Sequence, residues 1–358
     1  MGSEAGDKRG ADGSTALVEK KQRTSEAGTT LATVSGGGSG AIQVAGPQRT
    51  SELLAPIMLL TGHDGPVLTG KFSPDGRHML TGSQDRLMLM WEVFGECKNS
   101  LTFRGHQNAV LEVHWSADGE QVYSASADKT VMLWDAQSGS RVRGYKGHTA
   151  LVNSCCPSGN HTLASASDDC TTRLWDDRVR TCQRVIRQPY PCTAVSVSAD
   201  GLGLYTGSLD GTVRVYDLRK SEGGPSMLLE GHQDIVSGLS LSPDGSFLLS
   251  NAMDNTMRCW DVKPYSPDDR CVKVFLGAQH SYERGLIKCN WSKSGKLVTC
   301  GSADNFVYVW DVATQRILYK LPGHSGSVNE VDFHPTQPII GSCANDKSIY
   351  LGEIRSIS

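Results

Sequence analysis

The sequence predicts an all-β fold of seven repeated units behind a low-complexity N-terminal tail. Three observations carry that expectation. From Ile57 onward, Trp-Asp or a near variant recurs at Trp91-Glu92, Trp134-Asp135, Trp175-Asp176, Tyr216-Asp217, Trp260-Asp261 and Trp310-Asp311, with a degenerate copy at Gly352-Glu353. The steps are 43, 41, 41, 44, 50 and 42 residues, a period that marks stacked structural repeats. An aspartate stands six positions before every copy: Asp85, Asp128, Asp169, Asp210, Asp254, Asp304 and Asp346. Between the markers lie short apolar, β-branched segments such as Thr130-Val131-Met132-Leu133-Trp134, with no helical periodicity.

The elements follow in chain order. Residues 1–52 hold no aromatic side chain and include Gly36-Gly37-Gly38-Ser39-Gly40. Such a stretch cannot bury enough apolar area to offset its ordering entropy, so a disordered tail is expected. Two basic clusters in it, Lys8-Arg9 and Lys20-Lys21-Gln22-Arg23, have the spacing of a bipartite nuclear-import signal. Interleaved Glu4, Asp7, Asp12 and Glu19 fit a solubilising charge mixture as well. Ile57-Met58-Leu59-Leu60 then reads as a strand ahead of the first repeat.

The first repeat carries Gly62-His63, the turn Ser73-Pro74-Asp75-Gly76, Thr81, Asp85 and Trp91. The second carries Gly105-His106, Ser116-Ala117-Asp118-Gly119, Ser124, Asp128 and Trp134, and the third Gly147-His148, Ser165, Asp169 and Trp175. The fourth departs: Gln188-Pro189-Tyr190-Pro191 stands near the place of Gly-His, and Tyr216 replaces Trp. The fifth returns to Gly231-His232, Ser242-Pro243-Asp244-Gly245, Ser250, Asp254 and Trp260. The sixth has an insertion over Cys271–Gly285, a loosely placed His280, and Cys300 in place of Ser. The seventh begins at Gly323-His324 and ends in Gly352. These departures fit either weaker units supported by their neighbours or loops reshaped to meet a partner.

The Gly-His and Trp-Asp period resembles the WD-repeat family. The resemblance implies a seven-bladed β-propeller over residues 53–358, four strands per blade. The chain runs out soon after the third strand of the last blade, so strand 57–60 is expected to supply the fourth and close the ring. The resemblance also gives a role to the recurrent His, Ser or Thr, Asp and Trp. These sets are His63-Thr81-Asp85-Trp91, His106-Ser124-Asp128-Trp134, His148-Ser165-Asp169-Trp175 and His232-Ser250-Asp254-Trp260. Ser, His and Asp invite a hydrolase reading. A fold has no need of several copies of one nucleophile, and in WD-repeat proteins these residues form a structural hydrogen-bond chain.

Composition excludes other classes. With 35 basic and 38 acidic residues the net charge is −3, unlike a strongly basic nucleic-acid binder. No apolar run approaches the roughly 18 residues of a membrane span. Met1–Gly13 lacks a signal-peptide core, and Gly6 breaks the myristoylation pattern that Gly2 would start. The eleven cysteines include no C-x-x-C pair, so reduced thiols are expected, with no metal and no cofactor. No G-x-S-x-G elbow, Walker loop or H-E-x-x-H occurs, and no catalysis or small-molecule substrate is expected.

A closer resemblance rests on Ala55–Leu60, Ser250–Thr256, Arg270–Phe275, Phe306–Asp311, Arg316–His324 and Tyr350–Ile354. These segments are similar to the WD-repeat subunits of the spliceosomal U-five small nuclear ribonucleoprotein. That implies a non-catalytic nuclear scaffold in pre-mRNA splicing, docked on the large spliceosomal scaffold protein with the U-five GTPase and helicase nearby. It implies contact with the U-five RNA only indirectly, and no homo-oligomer. The alternative is a substrate receptor of a cullin–RING ubiquitin ligase, since Trp175-Asp176-Asp177-Arg178 matches the W-D-x-R such receptors often carry. For partner docking, Leu151, Leu209, Ile235 and Met253 are apolar at a rim where other repeats are polar. Either the four anchor a protein, or Leu151 and Ile235 tuck into neighbouring strands.

Overall fold

The computed structural model describes residues 49–355 apart from 160, 180, 221–222, 266–268 and 282–284. The tail residues Lys8, Arg9, Lys20, Lys21 and Arg23, and the expectation of disorder over 1–48, lie outside the described residues.

The fold is a seven-bladed β-propeller of four-stranded antiparallel sheets, with no helix among the described residues. Blade one spans residues 67–103, two 110–146, three 152–187, four 192–229, five 236–276 and six 289–321. Blade seven takes three strands from 328–353 and its outermost strand from Ile57–Thr61. That strand lies antiparallel to Ser348–Glu353, with Ile57 opposite Gly352 and Thr61 opposite Ser348. The sequence repeat and the structural blade are therefore out of phase by one strand, which joins the two ends of the chain and removes the open edge.

Defined contacts reach into the segment that composition assigns to the tail. Residues 49–52, which the sequence assigns to the tail, are bonded to blade seven. Glu353 accepts from Thr50 Oγ1 at 2.6 Å, from the Ser51 amide at 3.0 Å and from Arg49 Nε at 3.3 Å, and Gln337 accepts from the Glu52 amide. The Thr50 hydroxyl and amide hold the Glu353 carboxyl down at about 2. Leu53 is buried and bridges to Gly95 of blade one. A charged residue thus orders a segment that has little apolar area of its own.

The core is divided among the blade interfaces. Each of the seven apolar clusters straddles two neighbouring blades, for example Leu80, Phe103, Val113, Val122 and Trp134 between blades one and two. Middle strands such as His78–Ser83 are buried on both faces, so they read as near-continuous runs and lack a strict alternation.

Inner strands are stitched together by side chains. Glu330 accepts from the Gly70 amide at 3.0 Å and from Thr69 Oγ1 at 2.6 Å. Thr69 accepts in turn from the Val113 amide, Glu112 from the Cys155 amide, and Ser154 from the Val195 amide. This belt runs from blade seven through blade four around an axial cavity of about 220 Å³. Lys71 pairs with Glu330 at 2.7 Å, and Lys288 crosses to Glu112 at 3.4 Å. Burial alone would raise the Glu112 carboxyl, but Lys288 and His114 hold it at about 2.

Candidate functional site

Each Gly-His loop joins the outer strand of one blade to the inner strand of the next, so the His side chains return to one rim of the ring. In blade one, His63 Nδ1 meets Asp85 at 2.8 Å and Nε2 meets Thr81 Oγ1 at 2.9 Å, which also accepts the Trp91 indole N–H at 3.0 Å. Blade two repeats this with His106 to Asp128 at 2.8 Å, to Ser124 at 2.7 Å, and Trp134 to Ser124 at 2.8 Å. Blade three has His148 to Asp169 at 2.9 Å, to Ser165 at 2.7 Å, and Trp175 to Ser165 at 2.9 Å. Blade five has His232 to Asp254 at 3.0 Å, to Ser250 at 2.7 Å, and Trp260 to Ser250 at 2.8 Å.

The proton order follows from the donor inventory. An ionised Asp only accepts, so Nδ1 carries the hydrogen and Nε2 accepts the hydroxyl proton. Each Asp also takes the amide after the His: Asp64, Gln107, Thr149 or Gln233. Burial alone would raise the Asp128 carboxyl, but His106 and Thr130 hold it well below the ordinary range, and Thr171 and His148 likewise keep Asp169 at about 2. The hydroxyl of every set is fully buried and already accepts an indole N–H, so a substrate carbonyl has no route to it. These sets are ties between loop, turn and sheet.

Three blades vary the scheme. In blade four Gln188 takes the His position: its amide nitrogen donates to Thr206 Oγ1 at 2.9 Å and Thr172 Oγ1 at 3.1 Å, while its oxygen accepts from Ser208. Asp210 pairs with Arg214 at 2.6 Å instead. In blade six His280 turns to Asn251 at 3.0 Å, Asp304 accepts the Tyr308 hydroxyl, and the Trp310 indole reaches the Leu276 carbonyl. Blade seven holds a set that the sequence-based selection omits. His324 bonds Asp346 at 3.1 Å and Ser342 at 2.8 Å, with the Tyr350 ring packed edge-on where the indole would lie. Its signal was present in Gly323-His324, Asp346 and the serine ten positions before Gly352.

Gln188 suggests a test of the histidines. Burial lowers the His148 pKa from its ordinary 6.5, against the pull of Asp169. The unfolded chain therefore binds a proton first as pH falls. Stability is full above about pH 6.5 and declines below it, by at most about 1.4 kcal/mol per pH unit for one such group. His148→Gln is expected to lower Tm at about pH 7.5 yet lose less Tm than the wild type on going to about pH 5.5. Equal losses would remove His148 from the acid response.

The four candidate docking residues do not share one fate. Leu151 and Leu209 are 36% and 44% exposed, and Met253 is half-buried. Ile235, expected at the surface, is only 9% exposed; it turns inward at the head of the inner strand Val236–Leu241. Tyr190, 48% exposed, lies beside Pro191, whose carbonyl accepts the Leu209 amide. Asn153 ties this rim together by donating to Asp168 and to the Cys192 carbonyl of the next blade. The exposed apolar set is thus Leu151, Tyr190 and Leu209 on blades three and four. On the opposite rim, Arg178 is exposed but chelates Asp176 at 2.9 and 2.7 Å, as Arg219 does Asp217. Both close their own turns. Among the described residues no group of three His, Cys, Asp or Glu side chains could hold a metal ion.

Comparison with known proteins fits this geometry. The family model of the WD domain, G-beta repeat, matches residues 54–92, 96–135, 139–176, 180–217, 223–261, 269–311 and 315–351. The chain is 51% identical over 318 residues, 88% of either chain, to the human (Homo sapiens) U5 small nuclear ribonucleoprotein 40 kDa protein. It is 43% identical over 346 residues, 96% of each, to the protein of the same name from Dictyostelium discoideum. It is 44% identical over 309 residues, 86% of this chain and 90% of the relative, to pre-mRNA-splicing factor cwf17 of Schizosaccharomyces pombe.

Proposed function

The chain belongs to the WD domain, G-beta repeat family, alongside U5 small nuclear ribonucleoprotein 40 kDa proteins and a pre-mRNA-splicing factor, and from that premise we propose that it is a non-catalytic scaffold subunit of the U5 particle. It works in the nucleus. It docks on the large spliceosomal scaffold protein near the U5 GTPase and helicase, and meets U5 RNA only through them. The observation that carries this reading is the 51% identity over 88% of both chains, beside a family match that runs from residue 54 to 351. A net charge of −3 suits a subunit held by protein contacts rather than by phosphate neutralisation. The apolar set Leu151, Tyr190 and Leu209 is the surface assigned to the scaffold protein.

Purification of the tagged chain from nuclear extract tests the assignment. Spliceosomal proteins and U5 RNA are expected to co-purify. Tyr190→Ser with Leu209→Ser is expected to reduce recovery of the large scaffold protein on the order of tenfold at unchanged Tm, since truncating buried anchors typically costs more than about 1 kcal/mol each. Recovery of a cullin adaptor without U5 RNA would overturn the function. Full recovery by the folded double variant would move the docking face.

A further inference from the structure

The rim opposite the Gly-His loops is built from turns that join each inner strand to the next. In blades one, two, four and five the third turn residue is Asp75, Asp118, Asp200 or Asp244. Each accepts its own turn's serine hydroxyl and the backbone N–H two residues on. Blade six breaks this rule with Ser292-Lys293-Ser294-Gly295-Lys296. The turn itself is unchanged: the Gly295 amide bonds the Ser292 carbonyl at 2.9 Å, as Gly245 does Ser242, and both glycines sit at φ 70°. Ser294 takes over the bond to the backbone at Lys296. Turn geometry therefore has no need of the two lysines. Both are exposed, and neither has an ion-pair partner among the described residues.

Beneath that turn, between blades five and six, lies a cleft of about 510 Å³. Its floor is apolar, made by Phe247, Cys259, Val272, Trp291 and Val312, with Val272 47% exposed. Lys263 lies over the Phe247 ring at 5.1 Å, and Lys273 crosses from blade five to the Val312 carbonyl of blade six. Asp244 is also at the edge, but its carboxylate is engaged within its own turn. The corresponding cleft between blades one and two, about 490 Å³, carries Asp75 and Asp118 and no lysine. In a chain of net charge −3, Lys273 and Lys293 at the lining, Lys263 over the Phe247 ring and Lys296 in the turn beside Gly295 form a local reversal of sign.

We propose that this cleft docks an acidic peptide segment of a partner protein. An aliphatic side chain enters between Phe247, Val272 and Trp291 while neighbouring carboxylates face Lys263, Lys293 and Lys296. A nucleic-acid strand suits the cleft less well. The Phe247 face is covered by Lys263, and the buried Trp291 ring spends its indole N–H on the Ser240 carbonyl, so neither ring is open for base stacking. This docking site lies on the rim opposite Leu151, Tyr190 and Leu209, and stands whether or not those residues bind the large scaffold protein.

Selection of a random dodecapeptide library on phage, using the full chain and the Lys293→Glu/Lys296→Glu variant in parallel, tests the site. Peptides retained by the wild type and lost on the variant are expected to carry several Asp or Glu around an aliphatic residue. A labelled member of that class is expected to bind the variant on the order of tenfold more weakly by fluorescence anisotropy. Val272→Asp should weaken it similarly, and Lys98→Glu/Lys146→Glu, elsewhere on the surface, should not. Equal Tm values for all variants establish that each is folded. Failure to recover a variant-sensitive class, or recovery of one that is not acidic, would overturn the proposal. So would a uridylate dodecamer that displaces the labelled peptide and itself loses affinity for the variant.

Discussion

A truncation lacking residues 1–61 is expected to lose the cooperative thermal transition, whereas one lacking residues 1–48 should melt as the full chain does. The shorter deletion leaves every bond described for Arg49, Thr50 and Ser51 to Glu353. The longer one removes the whole outer strand of blade seven, which is paired residue by residue with Ser348–Glu353. It also removes buried Leu53 and Leu60, which pack with Trp91, Ile339 and Leu351 across the junction of blades one and seven. Burying each leucine stabilises by about 1.5–3 kcal/mol. With the lost ladder added, the change is comparable to the roughly 5–15 kcal/mol that holds a typical domain together. The exposed edge of Ser348–Glu353 should also pair with other chains, so the long truncation should elute as aggregate. Leu60→Asp gives a graded version, expected to lower Tm while leaving the ring closed. Equal melting temperatures for the two truncations would show that blade seven stands without its fourth strand.

The ring was legible because its punctuation lies in the loops. Gly-His, the turn Asp and the Trp-Asp pair are short motifs at fixed separations, and each sits where a strand ends, so seven blades and their phase could be counted directly. The four complete polar sets were legible for the same reason: donor and acceptor fall within one repeat. What escaped is what crosses repeats. Glu330 and Gly70 are partners from opposite ends of the fold, and no spacing rule relates them. A charged residue within or beside a strand reads as solvent-facing, yet Lys71, Glu112, Lys288 and Glu330 line the axis. Spacing put Gln188 near the place of Gly-His, but its role escaped because it preserves the bonding capacity of a histidine while changing the residue type. Arg49–Glu52 read as tail because composition registers apolar area and is blind to a single carboxylate such as Glu353 that gathers several donors.

Glu330→Ala is expected to be among the most damaging single substitutions in the ring, at about 3–5 kcal/mol, the range seen when one member of a buried ion pair is removed. Four groups depend on that carboxylate, one of them the Asn290 amide nitrogen that donates to it at 3.3 Å. The Lys71 ammonium, 2.7 Å away and largely enclosed, would keep Asn290 at 2.6 Å and the more distant Asp332 and Glu112 as its remaining partners. Burial alone would lower the Lys71 pKa and Glu330 is the largest group raising it, so without Glu330 the ammonium is left either underpaired or driven toward its neutral form, and both states cost stability. The Gly70 amide and the Thr69 hydroxyl would lose their acceptor on the seam between blades seven and one. Because Thr69 itself accepts from Val113, the disturbance should pass to blade two. Glu330→Leu combined with Lys71→Met should cost less than either single change, since no unpaired charge then remains buried. Urea midpoints for the two single variants and the double variant measure the coupling. If the three losses simply add, the pair acts as two independent packing residues and the belt does not hold the seam.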